Sequence, residues 1–380
     1  MSEHKSKKIA ETLRSEICSG KFSNAANFPS ERALVRRFQA ARGTVRAALK
    51  ELELLHLVRR EVGSGTRVVL PQSRRTFAVI VPDIFYSFYK RIVRGIERTL
   101  EARLGSGGFS FLVAALDDDP QVDGHVRLER VRDFAAMCTR EKVSGVFFQP
   151  FQFLRDSEKI NRSILSILKE GNVPVVLLDS DFIRPPARSE YDLAGIDNVF
   201  AGWQLGKHVI EQGAKRICYF SNPLPAPTSL KRADGVAMAV AEAELSWRRE
   251  NVLFVSPSNQ RALRSLFSGK NRPEAIIVVN DHVASILLKT LTSIGLSVPN
   301  DVLLCSVNGD PASEESTPPI TTVVQPCDRI GECAVDLMLR RIADPTLPVQ
   351  EFLLIPKLEI RASSCPPLSL RKKRTRKSKG

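Results

Sequence analysis

Two sets of residues have the types and spacing to do chemistry. The first is cationic. Arg42, Arg46 and Lys50 recur every fourth residue, away from an apolar stripe of Val45, Ala48, Leu49, Leu52 and Leu55. Such a helix face fits a major groove, where guanidinium groups meet guanine edges and phosphates, although a merely solvated basic face has the same pattern. Arg59, Arg60 and Arg67 flank the glycine-rich stretch EVGSG, a composition suited to backbone and minor-groove contact. The second set is acidic. Asp83, Asp117, Asp179, Asp197 and Asp281 follow apolar runs, at strand ends where carboxylates bind ligands or cap helices. No nucleophile–base set accompanies them. There is no P-loop, and GSGG at 105–108 precedes a strand, so it reads as a loop. The seven cysteines (Cys18, Cys138, Cys218, Cys305, Cys327, Cys333, Cys365) form no CxxC, and the five histidines have no ligand spacing. The expectation is a chain with no catalytic residues, no metal and no cofactor.

The elements that must position the first set are short. Ile9, Leu13 and Ile17 predict a helix over about 5–18. Ser30 is a good N-cap, and Glu31 suits the first turn of a second helix with Ala33, Leu34 and Phe38 inside. A third helix is expected over about 43–55, then strands at 57–60 and 66–70 joined by EVGSG. Helix, helix, short turn, helix, hairpin is the outline of a winged helix-turn-helix.

The rest has a different rhythm. Continuous apolar runs at 77–82, 109–116, 145–151 and 173–180 alternate with helical stretches, and the pattern repeats with runs at 216–221, 251–256, 275–280 and 301–307. This predicts two successive doubly wound parallel sheets, hence an α/β body of two lobes with a ligand at the carboxyl ends of the strands.

Charge separates the parts. Of 56 Lys/Arg and 42 Asp/Glu, residues 1–71 hold 14 and 7, residues 371–380 hold 7 and none, and the body holds 35 of each. Basic ends on a neutral body suggest a polyanion partner for the ends and another ligand for the middle. No apolar run reaches the 18 or so residues that span a bilayer, and MSEHKSKKIAETLRSEI lacks a signal-peptide core. With scattered thiols, a reduced, cytoplasmic protein that does not use a membrane is expected.

The run FPSERALVRRFQAARGTVRAALKELELLHLVRREVGSGTRV resembles the DNA-binding domain of the GntR family through its PSER box, its R-x-TVR-x-AL segment and its G-x-GT wing. The resemblance implies DNA contact by Arg32, Arg42, Thr44 and Arg46, with Gly63 and Ser64 at the wing tip. Gly43 stands where many relatives have a polar residue, and His56 where a glycine is usual.

The body resembles the effector domain of the LacI/GalR family, which has the periplasmic sugar-binding-protein fold. The resemblance rests on IVPDIFYSFYKRIVRGIE, IDNVFAGWQLGKHVIEQGAKRI, KRADGVAMA, NDHVA, GLSVPNDVLLCSVNGD and PPITTVVQPCDRIGECAVDLML, in that order. It implies ligand-stacking side chains among Ile84, Phe85, Tyr86 and Phe88, a cleft lined by Gln149 and Pro150, and contacts from Thr228, Arg232, Asn280, Asp281 and Asn308. Asp281 equally suits a helix cap. Asn308 replaces the usual aspartate, so an amide that donates and accepts stands where relatives only accept.

Together the halves resemble the AraR-like chimera. This implies a winged helix at 1–71, a linker at 72–76, an effector domain at 77–362 and a basic disordered tail at 363–380. It also implies a homodimeric repressor that binds operator DNA and a small effector, most simply a sugar. A solute-binding protein of sugar transport shares the body but not the winged helix, and an enzyme needs groups not found here. The tail RKKRTRKSKG is either solvated or a non-specific DNA attractor. If it attracts DNA, truncation after Leu370 will flatten the salt dependence of DNA binding; an unchanged slope in salt titrations assigns it to solvation.

Overall fold

The computed structural model describes residues 2–18, 28–54, 58–61, 65–68, 75–83, 86–105, 107–115 and 124–365. Gly63, Ser64, Ile84, Phe85, His56, Asp117 and the basic tail lie outside them. The chain divides into two compact units, 1–75 with 104–110, and 76–103 with 111–380.

The first unit contains helices α1 (Ser2–Cys18), α2 (Glu31–Phe38) and α3 (Arg42–Leu54), then strands β1 (Val58–Glu61) and β2 (Gly65–Val68). Ser30 caps α2, its Oγ accepting from the Ala33 N–H at 3.3 Å. Gln39, at φ 42°, ends the helix in the left-handed region and turns the chain toward α3. The apolar stripes meet in one core of Ile9, Leu13, Phe28, Leu34, Val45, Leu49, Leu52 and Val58. The strands pair antiparallel, Val58 opposite Val68. This is the expected winged helix-turn-helix, with α3 starting at Arg42.

The second unit is built on two six-stranded sheets. Its first elements are β3 (Arg75–Val81), α4 (Ser87–Leu104), β4 (Phe109–Ala115), α5 (Gly124–Arg140), β5 (Gly145–Phe148), α6 (Ser157–Glu170), β6 (Val175–Leu178) and β7 (Asp192–Ile196). Then come α7 (Asn198–Glu211), β8 (Ile217–Ser221), α8 (Pro227–Glu242), β9 (Val252–Phe254), α9 (Gln260–Ser268), β10 (Ala275–Val278), α10 (Asp281–Ser293), β11 (Leu303–Asn308), α11 (Pro311–Glu315) and β12 (Thr321–Val324). The chain ends its described course with α12 (Cys327–Ala343), β13 (Glu351–Leu354) and β14 (Lys357–Glu359). The sheet orders are β13-β7-β6-β5-β3-β4 and β14-β12-β11-β10-β8-β9. β5, β6 and β10 are buried throughout, which is why they read as unbroken apolar runs.

Three features depart from the expectation. The lobes are not simply successive: α12 packs on β5, β6 and β7, β13 joins the first sheet beside β7, and β14 closes the second antiparallel to β12. Strand β3 begins at Arg75, two residues before the expected start of the body at 77. The tail does not begin at 363, because Ser363 and Ser364 are fully buried. Ser363 Oγ donates to the Leu304 carbonyl at 2.6 Å and accepts from the Thr321 N–H at 2.8 Å, while Ser364 Oγ meets Thr321 Oγ1 and His208 Nε2 at 2.6 and 2.7 Å. This polar run packs inside the fold because its hydroxyls are satisfied internally.

Helices α7 and α8 touch backbone to backbone. A Cβ on Gly202 would land on the Arg232 carbonyl, and one on Gly235 on the Val199 carbonyl. We therefore expect Gly235→Ala to force the helices apart and cost about 1–3 kcal/mol, lowering the melting temperature. Gly43 in α3 has no atom within 4 Å of such a Cβ. Gly43→Ala should leave the melting temperature unchanged or raise it, by about 0.5–1 kcal/mol of helix propensity. Equal losses in both variants would contradict the packing account.

Candidate nucleic-acid face and effector cleft

On the first unit, Glu31, Arg32, Val35, Arg36 and Arg42 border a groove of about 500 Å³. Glu31 Oε1 accepts from Arg46 Nε at 2.6 Å and pairs with Arg42 Nε at 3.7 Å. Both arginine side chains stay more than half exposed, at 55% and 65%. Exposed pairs of this kind contribute about 0–1 kcal/mol, so a phosphate or base edge displaces Glu31 cheaply, while Glu31 keeps the two cations aimed together. Arg32 and Lys50 are also exposed. Thr44 is 9% exposed, in the first turn of α3 between Arg42 and Arg46. The pairing with Glu31, 15 residues from Arg46, had no signal in local spacing.

In the second unit a cleft of about 600 Å³ opens where the strand ends of the two sheets converge. Pro82, Asp83, Tyr86 and Tyr89 line it from the first lobe with Phe151–Leu154, and Asn222, Pro257, Asn280 and His282 from the second. Tyr89 lies close to Asp83 and Asp179, and burial together with these two carboxylates holds its hydroxyl protonated well beyond the usual range. Asp179 follows β6 with φ +60°, a left-handed conformation that is strained for most residues. Burial pushes its carboxyl up to about 6, against the opposing pull of Arg232 and Gln149. The Gln149 side chain lies beside that carboxyl and favours its charged form, while Asp179 Oδ1 is buried without a hydrogen-bond partner. Among the described residues Asp310 Oδ1 and Gln325 Oε1 are also buried without partners. These amide and carboxylate groups at the strand ends can exchange hydrogen bonds with a polar ligand.

Arg232, on α8, is buried at 4% exposure. Its Nε donates to Asn198 Oδ1 at 2.7 Å and its Nη1 to the Val279 carbonyl at 2.8 Å, which fixes the plane of the fork. The glycine contacts of α7 and α8 bring Asn198 and Arg232 within that reach. Across the lobes, Tyr86 donates to Asp310 Oδ2 and Asn308 Nδ2 donates to the Tyr86 oxygen, both at 2.9 Å. Gln325 Nε2 donates to Asn308 Oδ1 at 2.9 Å.

Tyr86 and Asn280 thus line the cleft, and Asn308, Arg232 and Gln149 stand behind it. Asp281 and Phe88 take other roles. Asp281 is fully buried: it accepts from Ser306 Oγ, from Thr322 Oγ1 at 2.8 Å and from the Asp310 N–H at 2.7 Å. It ties β11 and β12 together, and the cap of α10 is instead Asn280, whose Oδ1 accepts from the Val283 N–H at 2.9 Å. Phe88 is 4% exposed within α4, its ring 5.2 Å from Tyr89, so it backs the tyrosines. Thr228 is buried in the first turn of α8. Phe85, Gly63 and Ser64 lie outside the described residues. Asp179 is one of the strand-end carboxylates the sequence singles out; Tyr89 and Asp310 carried no such signal. Asp197 caps α7, accepting from the Phe200 N–H at 2.9 Å. Among the described residues there is no cluster of metal-ligating side chains, and no helix long and apolar enough to cross a membrane.

Comparison with known proteins bears on both sites. Residues 5–68 match the model for bacterial regulatory proteins of the gntR family, and residues 207–364 match a periplasmic binding protein-like domain. The chain carries both domains. It is 26% identical over 329 residues to the ribose operon repressor of Escherichia coli K12, covering 86% of this chain and 91% of that one. It is 24% identical over 369 residues to the arabinose metabolism transcriptional repressor of Geobacillus stearothermophilus, covering 94% and 96%. The structure is similar to that of the transcription regulator CcpA of Lactococcus lactis, with TM-score 0.63 and 23% identity, covering 76% of this chain and 99% of that one. The last likeness establishes the fold of the two-lobed unit.

The raised pKa of Asp179 gives a signed prediction. The folded chain holds this proton more tightly than the unfolded one, so the site is most stable below about pH 4 and loses stability as pH rises to about 6. Asp179→Asn removes that cost, by at most about 3 kcal/mol. The variant should melt higher than the parent at pH 7.5, with the difference shrinking toward pH 4. An equal difference at both pH values in paired thermal melts would show that Asp179 is not destabilised by its charge.

Proposed function

We propose that this chain is a ligand-responsive, DNA-binding transcriptional repressor whose effector is a sugar. The observation that carries this reading is the joining of a gntR-type domain to a two-lobed unit whose cleft is lined by Tyr86, Tyr89 and Asn280. Arg32, Arg42 and Arg46 meet operator DNA, with Gly63 and Ser64 at the wing. A sugar ring stacks on Tyr86 and Tyr89, with Phe85 adjoining. Its hydroxyls donate to Asp179 and exchange hydrogen bonds with Gln149, Asn280, Asn308 and the fork of Arg232. The names of the ribose and arabinose repressors support a sugar over other polyols.

The protein works as a homodimer in the cytoplasm, two recognition helices reading a two-fold operator. It binds and releases its ligand unchanged, without a metal or cofactor. Ligand between the lobes competes for Tyr86, Asn308 and Asp310, which already bond across the cleft, and so shifts the balance of lobe arrangements. Coupling of about 1–3 kcal/mol changes DNA affinity roughly 5- to 150-fold.

Two variants separate the parts. Arg46→Ala should weaken operator binding by at least roughly tenfold in gel-shift titrations and leave effector binding intact. Arg232→Ala should retain operator binding and lose the effector response. Unchanged operator affinity in the first, or a normal response in the second, would contradict the assignments.

A further inference from the structure

Apolar side chains collect along one flank of the second unit. β13 is an edge strand of the first sheet and β14 an edge strand of the second, and Ile355 and Pro356 join them. Among the described residues no strand pairs with the outer side of either. Of the ten large apolar side chains exposed among those residues, four fall between positions 349 and 360: Val349, Leu353, Ile355 and Ile360. Ile355, at 67%, is the most exposed of the ten. Single exposed apolar residues are ordinary, whereas a cluster on one short segment marks a surface that something covers.

The backbone of β13 is set for pairing. Its parallel ladder with β7 uses alternate residues: the Gln350 and Leu354 carbonyls accept from the Leu193 and Asp197 N–H groups, both at 3.0 Å. Alternation along the strand then turns the N–H and C=O of Glu351 and Leu353 to the open side. Unpaired edge groups template a further strand, and folded proteins usually block them with lysine, proline or a bulge. Glu351–Leu354 contains none of these. Its one charged side chain is already engaged, since Glu351 pairs with Arg188 and is 14% exposed.

This edge is complementary to itself. In an antiparallel pair about a two-fold axis beside Leu354, Leu353 of one copy lies opposite Ile355 of the other, and Glu351 opposite Lys357, which is exposed where β14 begins. Apolar meets apolar and carboxylate meets cation, the pairings that stabilise antiparallel strands. Backbone pairing alone would accept any extended chain, and these two side-chain matches favour a second copy. We propose that this edge docks a second copy of the chain, β13 pairing antiparallel with β13 so that the two first-lobe sheets become one. The contact adds to whatever brings the recognition helices together.

Sedimentation equilibrium of the full chain tests this, with Leu353→Lys and Lys357→Glu as variants and thermal melts to establish that both are folded. At micromolar concentration the parent should reach twice the mass of Leu353→Lys, whatever other contacts the copies share. Leu353→Lys places a charge on the open edge and should weaken the association at least roughly tenfold. Lys357→Glu sets carboxylates against each other and should weaken it roughly two- to tenfold. A second measurement needs no variant: the Glu351 and Leu353 amides should exchange hydrogen more slowly in concentrated than in dilute protein. Equal mass for the parent and Leu353→Lys, or exchange at these two amides that does not change with concentration, would overturn the proposal.

Discussion

A buried carboxylate and a buried guanidinium from opposite lobes share the base of the cleft. Arg232 offsets part of the cost of burying the Asp179 charge, and desolvation outweighs it. Arg232 is held by Asn198 and the Val279 carbonyl, and its position depends on α7 and α8 approaching through Gly202 and Gly235. Asp179 is less well compensated, as its raised pKa and unpartnered Oδ1 record. The resulting imbalance is local destabilisation kept at a site where a ligand hydroxyl relieves it.

The scaffold around this pair is stiff where it must be. Asp281 joins Ser306, Thr322 and the Asp310 backbone into one block at the strand ends of the second lobe, so Asp310 and Asn308 reach Tyr86 from a fixed base. Bonds between Tyr86 and residues 222 and 224 positions later join the lobes directly. A ligand that takes over these partners changes what holds the lobes together, which is the differential contact a switch requires. The first unit needs no such bistability, because its cations are exposed and pre-aimed by Glu31.

Periodicity made the winged helix and most of the two sheets legible, because each element buries a face or both faces. Some short strands were not legible. β7, β13 and β14 span three to five residues flanked by polar sequence, and only their neighbours in the sheet make them strands. Resemblance brought Tyr86, Arg232, Asn280 and Asn308 to the right region. It implied contacts from both Asn280 and Asp281, whereas Asn280 lines the cleft and also caps α10, because which of two adjacent polar residues caps a helix depends on the backbone angle where the helix starts. It overlooked Asp179, since a strand-end aspartate looks the same whether it caps a helix, as Asp197 does, or stands unpartnered.

Reciprocal linkage tests the account most directly. The affinity of the best-binding sugar should be measured by titration calorimetry on the free protein and on the protein saturated with operator DNA. If the cleft and the winged helix are two sites on one switch, the two affinities differ by the factor with which that sugar changes operator affinity, roughly 5- to 150-fold. Identical sugar affinity in the presence and absence of operator would show that the cleft binds its ligand without addressing the DNA-binding unit, and would contradict the central claim.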